Sequence, residues 1–135
     1  MLLMGERTNV PPDLAAKGQK TTFGDLMTPA GLREVRHYAD VIGPSLTDLI
    51  PRDAQGAWLE PSSLVDDAHA AGLLVHAYTC RPENYFLPRQ LRNADGDGAR
   101  NVAGSITEIR RYLDMGLDGF FTDDPAIGRM AVNQC

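Results

Sequence analysis

The stretch Leu73-Leu-Val-His-Ala-Tyr-Thr79 decides how this chain folds. Its apolar and β-branched residues lie between a glycine and a proline, which predicts a buried strand rather than a helix. Side chains alternate along a strand, so Leu74, His76 and Tyr78 share one face. A histidine and a tyrosine near the carboxyl end of one strand are unusual for a plain core. The pattern therefore indicates the floor and wall of a polar pocket.

Strand and helix patterns alternate along the rest of the chain. Short apolar runs predict three further strands, at residues 1–5, 39–44 and 119–123. Capping residues predict helix starts between them, at Thr28, at Ser62 or Ser63, at a capping box beginning with Ser105, and at Asp124. Repeated βα units are typical of an α/β fold with four parallel strands, in a sheet that is open or closed.

Polar residues follow the predicted strands at the points where those strands end. Because the carboxyl ends of parallel strands meet at one edge, their side chains are expected to form a site there. These residues are Glu6, Tyr78, Arg81, Thr122 and Asp123. The segment 81–104 is predicted as a long loop, and loops of this length in compact domains are usually functional.

Each candidate in this set also has a structural explanation. His76 either lines the pocket or fills the interior. Arg81, with Glu83 beside it, either binds a phosphate through its guanidinium fork or forms an ion pair within the loop. Asp124 is better explained as a helix cap than as a metal ligand, whereas Asp123 is left open.

Two further segments resemble metal sites but are better explained otherwise. Residues 93–98 match the first half of a calcium loop, yet Gly104 stands where the final glutamate is required, so turn chemistry explains them. Asp66 and His69 lie one helical turn apart without a third ligand in view, which favours a solvated helix face.

Composition limits the classes of function. The 135 residues are 43% hydrophobic, enough for the core of one domain or of part of a larger one. A net charge of −5 without a basic run argues against nucleic-acid binding, and no apolar run approaches the length of a membrane span. Cys80 and Cys135 form no metal or redox motif, and a disulfide between them stays open.

Three segments together resemble the carboxyl-terminal end of glycerophosphodiester phosphodiesterases. They are residues 38–44, 70–88 and 116–125, which contain Tyr-Thr-x-Arg-x-Glu-Asn and Gly-Leu-Asp-Gly-x-x-Thr-Asp-x-Pro. The first of these two motifs resembles the periplasmic or secreted bacterial type, although a cytoplasmic location also stays open. The resemblance implies that residues 1–135 are the last four βα units of a (β/α)8 TIM barrel. Because the chain starts inside an apparent strand, a truncated chain or a mis-started reading frame is expected.

The resemblance also implies a reaction in lipid and glycerol metabolism. Members of the family use Ca²⁺ or Mg²⁺ to hydrolyse a small glycerophosphodiester to glycerol 3-phosphate and an alcohol. The family's His-Arg-Gly, Glu-x-Asp and Glu-x-Lys strings do not occur in this sequence. We therefore expect no catalytic residue and no metal ligand in this chain, and no activity from the chain alone. The expected substrate-binding residues are Tyr78, which carries over as a glycerol contact, Arg81, His76 and Glu83.

Two alternatives stay open at this point. The chain could be a non-catalytic half-barrel module that binds a small phosphorylated ligand and forms a homodimer through its uncovered barrel edges. It could also belong to a related lipase that acts on sphingophospholipids.

Overall fold

The computed structural model describes residues 1–134, in which short strands alternate with helices. Two short 3₁₀ turns, Asn84–Phe86 and Arg89–Leu91, lie in the long loop after the third strand. The elements in chain order are β1 (Leu2–Leu3), α1 (Pro12–Ala16), α2 (Phe23–Leu26), α3 (Pro29–Val35), β2 (Val41–Gly43), α4 (Leu46–Leu49), α5 (Leu64–Ala70), β3 (Leu74–Cys80), α6 (Val102–Asp114), β4 (Gly119–Thr122) and α7 (Pro125–Asn133).

The strands form a parallel sheet in the order β1-β2-β3-β4. Within residues 1–134 there are four of them, as the sequence predicted. The pairing of β3 with β4 shifts register between Ala77 and Cys80, a stretch of β3 that contains Tyr78. Four parallel strands alternating with helices are the architecture of part of a (β/α)8 barrel.

The two faces of the sheet have different environments. Helices cover the face that carries Ile42, Val75 and Ala77, each of which is fully buried. On the opposite face Leu74 is 47% exposed and Phe121 is 43% exposed. His76 and Tyr78 share this open face with Leu74, as the alternation along β3 predicted.

Helix ends follow the capping chemistry of the sequence in several places. The Thr28 hydroxyl accepts the Gly31 N–H at 3.1 Å and starts α3. Gly72 has φ +83° after α5, and the Leu73 N–H donates to the Ala68 carbonyl at 2.9 Å. Glycine tolerates this left-handed conformation without strain, so β3 begins directly after α5.

The predicted capping box at Ser105 was wrong. Helix α6 begins at Val102, and its cap is Asn101, whose side chain accepts the Gly104 N–H at 2.8 Å. Ser105 is buried inside the helix, and Glu108 turns toward Arg52 instead of back to the helix start. Short helices α1 and α4 also lie in segments for which the sequence predicted no helix.

Three asparagines hold the long loop after β3 in a single conformation. The Asn84 side chain donates to Asn93 Oδ1 at 2.7 Å and to the Gly96 carbonyl at 2.8 Å. Its own oxygen accepts from Asn101 Nδ2 at 2.9 Å. Asn93 is thus engaged in turn hydrogen bonds, in agreement with the turn interpretation of residues 93–98. The cap of α6 and the loop that precedes it form one connected network.

No helix in the described part of the chain combines the length and apolar character that a membrane crossing needs.

Candidate functional site

A cleft of about 530 Å³ lies where β1, β2 and β3 end. Its lining residues are of polar types apart from a proline and a glycine, although more than half of the surface that they present is carbon. The cleft opens on the sheet edge where parallel α/β folds place their sites. The lining residues are Gly5, Glu6, Arg7, Ser45, Thr47, Asp48, Pro51 and Tyr78. The structure thus brings together two residues that the sequence selected, Glu6 and Tyr78.

Tyr78 forms the wall of this cleft on the β3 side. Its hydroxyl donates to the Met4 carbonyl at the end of β1, so the ring is fixed across the strand ends. Burial raises the pKa of Tyr78 above its ordinary value, and the nearby Asp48 carboxylate acts in the same direction. The phenol is therefore neutral at physiological pH. It offers a hydroxyl and an apolar ring, the combination that suits a polyol ligand.

The opposite wall carries an ion pair and two hydroxyls. Arg7 Nε lies 2.9 Å from Asp48 Oδ1, and Asp48 is nearly buried while Arg7 is half exposed. The Ser45 and Thr47 hydroxyls lie 3.0 Å apart at the start of α4. Arg7 thus retains exposed N–H groups that can donate to an anion, next to hydroxyls that can donate or accept.

Arg81 has a partner other than the one the sequence offered. Its Nε lies 2.9 Å from Asp123 Oδ2 at the end of β4, and its guanidinium lies 3.8 Å from the centre of the Phe86 ring. Arg81 therefore forms an ion pair, but with Asp123 at the end of β4 and not with Glu83 of its own loop. The phosphate-binding alternative stays a prediction. Arg81 connects the loop after β3 to the end of β4.

A second cleft, of about 360 Å³, lies at the ends of β3 and β4. Asp123 lines it together with Tyr78, so Tyr78 separates the two clefts. Arg81 holds the Asp123 side of this second cleft through the ion pair. The two clefts meet at Tyr78, and we call the line of strand ends from Glu6 to Asp123 the rim.

His76 and Glu83 do not join the residues that line these two clefts. His76 packs on Gly119, where an added Cβ would lie 2.8 Å from its ring carbon Cδ2. It occupies the open sheet face one step below Tyr78. Glu83 has one buried carboxylate oxygen, Oε2, without a hydrogen-bond partner among the described residues. Of the predicted binding residues, the structure therefore places Tyr78 in the wall of both clefts. It places Arg81 beside the second cleft, through its contact with Asp123.

Sequence reasoning missed several residues of the cleft wall. Ser45 follows the Gly-Pro pair that ends β2, so the rule that selected Tyr78 could have selected it. Arg7 is two residues past the Gly5 that ends the first apolar run and was readable in the same way. Asp48 could not be selected in this way, because it lies in the one-turn helix α4 and not directly after a strand.

A buried ion pair stands behind the rim. Arg52 Nη2 donates to Glu108 Oε1 at 3.0 Å, and Arg52 Nη1 donates to the Phe86 carbonyl at 2.7 Å. Burial raises the pKa of Glu108 to about 7, although Arg52 and the Tyr112 hydroxyl oppose the shift. Burial also raises the pKa of Tyr112 to about 12. This cluster anchors the loop segment that carries Phe86, on which Arg81 stacks.

Cys80 contributes no reactive group to the described rim. Burial raises the pKa of the Cys80 thiol well above its ordinary value, so the thiolate is not accessible at physiological pH. The question of a disulfide with Cys135 lies outside the described residues.

The acidic side chains near the cleft do not fit a divalent cation. Among residues 1–134, no three or more of the His, Cys, Asp and Glu side chains converge into a group that could hold a metal ion. Asp48 and Asp123 are each paired with an arginine. Asp124 caps α7 by accepting the Ile127 N–H at 3.1 Å, as predicted, and pairs with Arg100.

Comparison with known proteins gives two findings. The model of the glycerophosphoryl diester phosphodiesterase family matches residues 3–127. A glycerophosphodiester phosphodiesterase of Arabidopsis thaliana, GDPD6, is 32% identical over 103 residues, which cover 76% of this chain and 25% of that protein. The match thus spans about a quarter of the length of that relative. The periplasmic or secreted subtype stays a prediction.

Proposed function

This chain belongs to the glycerophosphoryl diester phosphodiesterase family, and from that membership we propose that its rim cleft binds the glycerol phosphate portion of a glycerophosphodiester. The reaction we propose is hydrolysis of the diester to glycerol 3-phosphate and an alcohol. Membership in this family indicates phosphodiesterase activity, which is a hydrolase activity. The substrate, the products and the residue roles below are part of the proposal.

The position of Tyr78 carries this proposal. Its ring borders both clefts, and its hydroxyl is fixed by the Met4 carbonyl, so one face of the ring can pack on the carbons of glycerol. Ser45 and Thr47 supply groups that can bond the glycerol hydroxyls. Arg7, which is half exposed, can donate to a phosphate oxygen.

The remaining predicted binding residues have supporting roles in this proposal. Arg81 stays engaged with Asp123 and Phe86, so we assign it to shaping the rim, and Glu83 belongs to the same loop. His76 supports Tyr78 from the next position down the open face.

The metal and the acid–base groups require residues beyond those described. We propose that Ca²⁺ or Mg²⁺ serves this reaction, as is common in the family, and would polarise the phosphoryl group when bound. Because the described acidic side chains do not form a suitable ligand group, we derive no step through the metal. In this proposal residues 1–135 are the last four βα units of the barrel, and the ligands belong to other polypeptide.

The binding part of the proposal can be tested without turnover. Saturation-transfer NMR with glycerol 3-phosphate should show contact between the ligand and the chain. Tyr78→Ala should reduce the signal several-fold, because it removes the packing surface for glycerol. Tyr38→Ala is the matched control, since Tyr38 is 65% exposed on the α3 side, away from the cleft. Equal loss in both variants, or no binding at all, would contradict the assignment of the cleft.

The catalytic part has a separate test. We expect no hydrolysis of glycerophosphocholine by the purified chain with either Ca²⁺ or Mg²⁺, because the described residues provide no metal ligand group. Turnover above the buffer background would contradict that expectation. It would not affect the binding result, so the two parts can fail independently.

A further inference from the structure

We propose that Asp95 is a site of spontaneous isoaspartate formation, selected by the folded structure from three Asp-Gly dipeptides. The dipeptides are Asp95-Gly96, Asp97-Gly98 and Asp118-Gly119. Each places a carboxyl group next to a peptide nitrogen that is not shielded by a following side chain. The sequence alone makes them equivalent, so any difference among them comes from the fold. This inference does not depend on the proposed function.

The reaction needs only water. The Gly96 nitrogen attacks Cγ of the protonated Asp95 carboxyl group, an N–Cγ bond forms, and the carboxyl hydroxyl leaves with the amide proton as water. The resulting five-membered imide adds water at one of its two carbonyls. Opening at Cγ restores aspartate, whereas opening at the main-chain carbonyl leaves the chain running through the side chain. No atom or electron is gained or lost overall.

At Asp95 the two carbonyl groups that take part in ring closure are exposed and unbonded in the described chain. Residues 93–98 are all exposed. Within residues 1–134, neither the Asp95 carbonyl nor the Asp95 carboxylate has a hydrogen-bond partner. The bonds of this dipeptide lie on either side of the reacting carbonyl: the Asp95 N–H donates to Asn93 Oδ1 at 3.1 Å, and the Gly96 carbonyl accepts from Asn84 Nδ2 and from the Ala99 N–H. A Cβ placed on Gly96 would meet nothing within 4 Å, so the imide ring has room to close.

The other two dipeptides are restrained. The Asp97–Gly98 peptide is the central unit of a turn closed by Ala99 N–H to the Gly96 carbonyl at 3.2 Å. The Asp97 carbonyl also accepts the Tyr85 N–H at 2.9 Å. The bond from Tyr85 holds the carbonyl of the reacting peptide itself and therefore resists the rotation that ring closure requires, whereas the Asp95 carbonyl has no such bond in the described chain.

Asp118 is held by different contacts. Its Oδ2 accepts from the Val75 N–H at 2.9 Å and lies 2.7 Å from His69 Nε2. Gly119 is already part of β4, and a Cβ there would lie 2.8 Å from the His76 ring. The carboxyl group cannot reach the Gly119 nitrogen without breaking the strand pairing.

The modification would affect the network that orders the loop after β3. It inserts one carbon into the main chain beside Gly96, whose carbonyl accepts from Asn84 Nδ2 at 2.8 Å. Asn84 also contacts Asn93 and Asn101. The loop that carries Phe86 would therefore lose one of its internal attachments.

Peptide mapping of aged protein tests the proposal. The purified chain is incubated at neutral pH and body temperature, and electron-transfer fragmentation distinguishes isoaspartate by its longer backbone. We expect isoaspartate to form about fivefold faster at Asp95 than at Asp97, because the hydrogen bond from Tyr85 to the Asp97 carbonyl must open first. We expect Asp118 to stay unmodified. In denaturant the three sites should react at similar rates.

Matched variants separate the site from its neighbour. Asp95→Glu should abolish the fast modification, because a glutamate closes the larger ring far more slowly, whereas Asp97→Glu should leave it unchanged. The proposal is overturned if Asp95 and Asp97 react equally in the folded protein, or if Asp97 or Asp118 reacts first. It is also overturned if the preference for Asp95 persists in denaturant, since the fold would then not be its cause.

Discussion

At the scale of single residues, the buried carboxyl group of Glu108 has a large effect on the free energy of unfolding. Glu108 is 1% exposed, and burial makes its charged form costly despite the partner Arg52. Arg52 in turn bonds the Phe86 carbonyl, so the ionisation of one carboxyl group is connected to the position of the rim loop. The free energy of unfolding should therefore depend on pH through this residue.

Glu108 should lower the stability of the chain as pH rises. Its pKa is raised from 4.5 to about 7 in the folded chain. Below pH 4.5 both states are protonated and no penalty exists. Between these two values the unfolded chain loses the proton while the folded chain keeps it, so the free energy of unfolding falls by about 3 kcal/mol. Urea unfolding across this range measures the effect.

Glu108→Gln should remove this slope. The variant keeps an oxygen that can accept from Arg52, but it has no proton to lose. Glu34→Gln, on the exposed side of α3, is the control and should leave the slope in place. An unchanged slope in Glu108→Gln would show that other groups cause the pH dependence.

At the scale of elements, local signals predicted what local chemistry determines. The alternation in β3, the Thr28 cap and the left-handed Gly72 depend on neighbours in the chain, and all were readable. The start of α6 was not readable, because Asn101 is fixed by Asn84 across a long loop. The pairing of Arg81 with Asp123 could not be predicted for the same reason. Both depend on contacts between residues distant in sequence, which no capping or turn rule contains.

The asparagine network gives a test at this scale. Asn101→Ala removes the cap of α6, so the Gly104 N–H loses its acceptor and the Leu91 carbonyl loses its donor. Asn84 Oδ1 loses one of its two donors and keeps the Asn93 N–H. We expect a loss of about 2–3 kcal/mol in the free energy of unfolding, from the cap and the unpaired buried groups together. Chemical denaturation measures it.

Thr28→Ala is the comparison for Asn101→Ala. It removes an exposed cap of α3 without disturbing a buried network, so about 1 kcal/mol is expected. If both variants lost the same free energy of unfolding, Asn101 would act as an ordinary cap. Its hydrogen bonds to the loop would then contribute nothing to stability.

At the scale of the whole molecule, the sheet has one face that the described residues leave open. Leu3, Leu74 and Phe121 expose roughly half of their surface there, next to β1 and β4, which are the edge strands. Contiguous apolar surface of this kind, flanked by unpaired strand edges, favours association with another surface. His76 and Tyr78 share the face, so whatever covers it also encloses the cleft. A second copy of the chain is the partner the sequence suggested, and that suggestion is a proposal.

Light scattering of the purified chain should therefore show a mass above that of the monomer, rising with concentration. Leu74→Ser should weaken the association by about tenfold or more, because each copy loses the burial of part of a leucine. Leu59→Ser is the matched control, since Leu59 is similarly exposed but lies in the segment between α4 and α5. A discrete dimer would support the alternative of a half-barrel module that forms a homodimer. A heterogeneous aggregate would indicate that another polypeptide, and not a second copy, normally covers this face. A monomer at all concentrations, or equal weakening by the two serines, would show that this face does not drive association.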